Sequence, residues 1–160
     1  MTWHQKNTPE KTQHLIANLL DTASKGHPIV VEGKKDAHAL QTLGLTGTIL
    51  TAKTGGKSFL DATDEIKAQG KREVILLLDF DRRGQEGTKR LQHNLEHAKI
   101  KANTHFWHEL QNLIGHDIQC IESLPNYFTT TQQKTDKHKK RTNTKNGQTQ
   151  KTNKQTNQLI

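Results

Sequence analysis

Val74-Ile-Leu-Leu-Leu78 runs without a break into Asp79-Phe-Asp81-Arg-Arg-Gly84, and this stretch decides the fold. Five consecutive apolar residues with no polar alternation describe a strand covered on both faces, as in a parallel sheet. The glycine then opens a helix through about Ala98, because Thr88, Leu91, Leu95 and Ala98 recur at steps of three and four. A strand that ends in acids and turns straight into a helix is half of a βα unit with its chemistry at the turn.

Upstream, Pro28-Ile-Val-Val31 repeats the pattern and ends in Glu32-Gly33-Lys-Lys-Asp36. Before it, Thr8-Pro9-Glu10 reads as a helix start, with Leu15, Ile16, Leu19, Leu20 and Ala23 on one face and Gly26 as its stop. A second helix is expected from about Lys35 to Leu43, and a strand from Gly47 to Ala52. Lys53-Thr-Gly-Gly-Lys57 forms a loop, and Ser58 with Asp61 makes a capping box for a helix to about Gln69. Residues 103–107 read as a last strand, with short helices at Trp107–Ile114 and Ile118–Phe128. This alternation predicts an α/β fold with a mainly parallel sheet.

In a parallel sheet all strand C-termini share one edge, so Glu32, Asp79 and Asp81 converge there if their strands are neighbours. One like-charge pair at 4 Å costs on the order of 4 kcal/mol at an effective dielectric of 20, so crowded carboxylates call for a cation or a raised pKa. Oxygen donors without cysteine or histidine favour Mg²⁺, or Mn²⁺, over Zn²⁺. Lys34, Lys35, Arg82 and Arg83 flank the acids and are placed to neutralise a phosphodiester, as are Lys53 and Lys57 of the glycine loop. Gly56-Lys57-Ser58 is not a nucleotide P-loop, because Thr51 stands where the pattern needs its first glycine. Asp36 reads as a capping or supporting group. His93, His97, His105 and His108 read as surface residues, and Phe106 and Trp107 as core.

Val30-Val-Glu32-Gly-Lys-Lys-Asp36 and Leu78-Asp79-Phe-Asp81-Arg-Arg-Gly84 together resemble the two motifs of the topoisomerase–primase (Toprim) superfamily, and among its members the small stand-alone archaeal proteins. The resemblance covers about residues 10–130. It implies a compact domain of about four mainly parallel strands flanked by helices. It also implies that Asp79 and Asp81 bind Mg²⁺, and that Glu32 either shares the metal or acts as a general acid/base. Topoisomerases add a domain with a nucleophilic tyrosine, and primases add zinc and helical modules. This chain has one tyrosine, Tyr127, in a late segment. Strand passage and primer synthesis by this chain alone are therefore not expected.

The formal charge of +8 does not belong to the domain. Residues 132–160 hold seven lysines and one arginine against one acid, whereas residues 1–131 hold 16 basic and 15 acidic side chains. Residues 1–131 are read as the domain. The remainder, rich in Lys, Thr, Asn and Gln, is read as a disordered tail. If all eight of its cations met phosphates, binding to duplex DNA would weaken with a log–log salt slope of roughly −7. Cys120 is the only cysteine, the N-terminus begins no secretory apolar region, and no apolar run could span a bilayer, so a soluble cytoplasmic protein is expected. The function expected from these features is Mg²⁺-dependent action on RNA or DNA phosphodiesters, by a nuclease or processing factor. The alternatives are a non-catalytic module that binds Mg²⁺ and nucleic acid within a larger complex, or nucleotidyl transfer with a partner subunit.

Overall fold

The computed structural model describes residues 8–131. They belong to two units, which divide between Pro125 and Asn126. In the second, residues 126–131 are helical, with the Tyr127 and Phe128 rings edge to face at 5.5 Å. The basic tail lies outside the described residues.

The first unit alternates helix and strand: α1 (Thr8–Ser24), β1 (Ile29–Val31), α2 (Lys34–Thr42), β2 (Ile49–Thr51), α3 (Phe59–Ala68), β3 (Glu73–Leu76), α4 (Arg82–His97), β4 (Lys101–Asn103) and α5 (His105–Ile114). A 3-10 turn at Ile121–Ser123 follows. The four strands form one sheet in the order β2-β1-β3-β4, with every pair parallel. β1 and β3 are therefore neighbours, with Ile29 opposite Ile75 and Val30 opposite Leu76. The pairing continues past β3, where the Leu77 amide donates to the Val30 carbonyl at 2.8 Å.

The unbroken apolar run has the expected cause, since Val74 to Leu78 are all wholly buried. Val30, Val74, Leu76 and Leu78 pack on one face of the sheet with Ala62 and Ile66 of α3 and Leu91 and Leu95 of α4. Ile29, Val31, Ile75 and Leu77 alternate with them along the strands and are equally buried. α1 packs against α5, and α3 against α4.

The local signals fall where the chemistry requires. The Ser58 hydroxyl accepts from the Asp61 amide at 3.1 Å, and the Asp61 carboxylate accepts from the Ser58 amide at 3.0 Å, closing the capping box. Residues 103–107 differ from expectation. The last strand is Lys101–Asn103, and the Asn103 side-chain oxygen accepts the His105 amide at 3.0 Å, which starts α5. β4 is a polar edge strand, so it carried no apolar pattern to find.

Candidate metal centre

The sheet order reverses direction between β1 and β3, which is the point where open α/β sheets form a crevice beyond the strand C-termini. Glu32 leaves β1 and Asp79 follows β3 on either side of that crevice. Glu32 Oε1 accepts from Lys53 Nζ at 2.7 Å, whereas Glu32 Oε2 is buried and has no donor apart from the proton of a neutral Asp79. Asp79 Oδ1 accepts the Ile121 amide at 3.3 Å.

The two carboxyls are electrostatically linked. Burial pushes Asp79 up to about 7, helped by hydrogen bonding to Glu32 and by the negative charges of Asp36 and Glu32. Burial also pushes Glu32 up, but the hydrogen bonds from Lys53 and Asp79 and the Lys53 charge outweigh it and hold Glu32 below the usual range. Below about pH 7 the pair therefore carries its negative charge on Glu32 and a proton on Asp79. Once Asp79 ionises, Glu32 Oε2 faces a second anion, and among the described residues Lys53 is the cation paired with Glu32.

Asp36 is a third carboxylate at this rim, and it is buried. Its Oδ2 accepts the Gly33 amide at 3.1 Å, which holds the turn after Glu32, and its Oδ1 accepts the Glu122 amide at 3.1 Å. Burial is the largest influence on its pKa and, with the charges of Glu32 and Glu122, raises it despite the opposing effect of the two amides. Asp36 thus ties the two halves of the rim together, as a supporting residue.

Asp81 behaves differently. It is exposed and caps α4, where its Oδ1 accepts the Gly84 amide at 2.7 Å. Among the described residues, no three Asp, Glu, His or Cys side chains gather closely enough to hold an ion. The donor set nevertheless suits a hard cation: a buried carboxylate oxygen of Glu32 that loses its donor when Asp79 ionises, beside the Asp79 carboxylate itself.

The loop that carries Asp79 is pinned at every residue. Trp107 Nε1 donates to the Leu78 carbonyl at 2.9 Å. The Phe80 amide donates to the Gln119 carbonyl at 2.7 Å, and Gln85 Nε2 donates to the Phe80 carbonyl at 3.0 Å. Gly84 is required by close approach, because a Cβ there would fall on the Asp79 carbonyl oxygen.

The flanking cations separate into groups. Lys34 and Lys35 are exposed and line a recess of about 510 Å³ with His38 and Glu122. Arg82 pairs with Glu86 at 3.2 Å on the solvent side of α4. Lys57 is held by Glu65 at 2.7 Å and by the Thr51 carbonyl at 3.2 Å. Lys53 reaches Glu32 directly, and Arg83 lines a recess with Lys53, Phe59 and Arg90. No sequence motif marks Phe59 or Arg90, although Arg90 stands two turns after Arg83 on the same helix. Phe106 and Trp107 are buried core residues, as expected. His93 and His97 meet edge to face at 4.6 Å.

Comparison with known proteins agrees with this architecture. The UPF0292 protein MJ1624 of Methanocaldococcus jannaschii is 42% identical over 119 residues, covering 74% of this chain and 90% of that protein. A UPF0292 protein of Methanosarcina acetivorans is 30% identical over 126 residues, covering 79% and 85%. A solved protein structure from Aquifex aeolicus matches with a TM-score of 0.57 and 28% identity, covering 69% of this chain and 95% of that one. Residues 27–110, which span both acidic motifs, match the Toprim domain family. With its parallel four-stranded sheet and its small archaeal relatives, the chain belongs to the Toprim domain family.

Proposed function

We propose that this protein binds Mg²⁺ through Asp79 and Glu32, with Asp81 turning in to join them, and cleaves or processes RNA or DNA at the phosphodiester. The observation that carries the reading is the buried Glu32 Oε2 at the C-terminal rim of the sheet, which is left without a donor once the neighbouring Asp79 ionises. Membership in the Toprim domain family supports a metal-binding, nucleic-acid-related role. A bound divalent ion would stabilise charge on the phosphate and lower the pKa of a water nucleophile.

The chain's own residues have separable tasks in this reading. Asp79, once deprotonated, would hold the ion, and Glu32 would either share it or move a proton at the reacting oxygen. Lys53, already at Glu32, is positioned to turn its charge toward a phosphate oxygen. Asp36 and Trp107 hold the two acidic turns in place. Among the described residues no helix is long and apolar enough to cross a membrane, and the cytoplasm is the proposed place of action.

The test is cleavage of end-labelled RNA and DNA by the full chain with Mg²⁺ or Mn²⁺, alongside Asp79→Asn and Glu32→Gln. Cleavage is expected only with metal, and each variant should lose about 100-fold or more. Activity unchanged in both variants would reject the assigned centre. Metal-dependent binding without turnover would instead assign a non-catalytic module of a larger assembly, and incorporation of nucleotides with a partner subunit would assign transfer.

A further inference from the structure

Beside the acidic rim, α3 and α4 leave a groove that the metal centre does not account for. Lys53, Phe59, Arg83, Glu86, Gly87 and Arg90 line one recess of about 400 Å³. A second recess of about 400 Å³ shares Lys53, Phe59 and Arg90 and adds Lys57. Phe59 forms the common wall. It packs against Gly87, where a Cβ would come within 2.9 Å of its ring, so the missing side chain at 87 is what lets the ring seat there. Lys53 Nζ and Arg90 Cζ each lie 5.9 Å from the ring centroid, near the outer limit of a cation–π contact, so neither seals the ring off.

The charge of the groove is open as well. Among the described residues neither Arg83 nor Arg90 has a carboxylate partner, and the Glu86 carboxylate is engaged by Arg82. Lys53 joins the groove to the centre, because the same ammonium that lies over Phe59 binds Glu32. A row of cations with one accessible ring between them fits a flexible polyanion with flat apolar groups, and each recess is of the size that takes one small ligand. A duplex keeps its bases stacked inside and could offer the ring none.

We infer that this groove is the seat of a single-stranded nucleic acid, with Arg83 and Arg90 on its phosphates and a base against Phe59, delivering the strand to Glu32 and Asp79. The inference rests on the proposed function for its direction, but strand binding can be measured without metal or turnover.

The experiment uses the full chain in EDTA and measures anisotropy of labelled oligonucleotides of equal length, single-stranded and duplex, across a salt series. The single strand should bind more tightly. Arg90→Ala should weaken it about tenfold and make the log–log salt slope shallower by about 0.7, the value for one phosphate contact on a single strand. Phe59→Leu, which keeps an apolar side chain against Gly87, should weaken binding about tenfold with no change of slope. Iodouracil-containing single strands should photocrosslink to the peptide that contains Phe59. Binding by both variants equal to the parent, or crosslinks confined to other segments, would overturn the groove. Mn²⁺ binding by the same variants separates the two readings. Retention of Mn²⁺ with loss of the strand supports the groove, whereas loss of Mn²⁺ along with the strand would mean the substitutions damaged the centre and would overturn a distinct strand site.

Discussion

At the scale of single residues, Asp79 concentrates the chemistry. Its carboxyl ordinarily titrates near 3.8 and is raised to about 7 in the fold, by burial first and by its acidic neighbours second. The folded chain therefore holds a proton that the unfolded chain releases. That contribution to stability is fully present below the ordinary carboxylate value and is lost as pH rises toward about 7. Asp79→Asn removes the titration and can still accept from Ile121 while donating to Glu32. In EDTA at pH 8 the variant should be more stable than the parent by about 1–2 kcal/mol, a figure cut well below the full shift because the side chain is only partly buried. The two should converge near pH 4. Added Mg²⁺ at pH 8 should stabilise the parent and leave the variant unmoved. Urea denaturation at both pH values checks each part, and coincident curves at pH 8 in EDTA would contradict the assignment.

At the scale of elements, the start of α4 determines where the acids sit. Asp81 caps the helix through the Gly84 amide, and Gly84 lets the first turn press against the Asp79 carbonyl. An alanine there gains up to about 1 kcal/mol of helix propensity. It must also push the helix off the loop, at a cost of about 1–3 kcal/mol or more for overpacking. Gly84→Ala is therefore expected to destabilise the domain by about 1–2 kcal/mol net and to weaken Mn²⁺ binding, as read by denaturation and by electron paramagnetic resonance. The same element separates two acids that look equivalent in Asp-x-Asp. The helix that begins at Arg82 takes Asp81 as its cap, so Asp81 has to leave the Gly84 amide to join Asp79 and Glu32 at an ion.

Over the whole molecule, residues 1–131 are nearly neutral whereas residues 132–160 carry a net charge of +7. Removing residues 132–160 takes away a net charge of +7. The salt slope for duplex DNA should become shallower by as much as about 7, while Mg²⁺-dependent stabilisation of the domain persists. A slope unaffected by the deletion would exclude the tail from binding. The sequence alone determined the parallel α/β class and the strand-end positions of Glu32 and Asp79, because a run such as Val74 to Leu78 has few other ways to be buried. It also determined the capping box at Ser58, which needs only residues three apart. Tertiary structure alone decided that β1 lies beside β3, that Asp36 and Lys53 reach the same rim, and that Phe59 meets Arg90 across two helices. Those pairings join segments far apart in the chain, and contact between them depends on how the sheet orders its strands and how helices pack upon it, which no local pattern encodes.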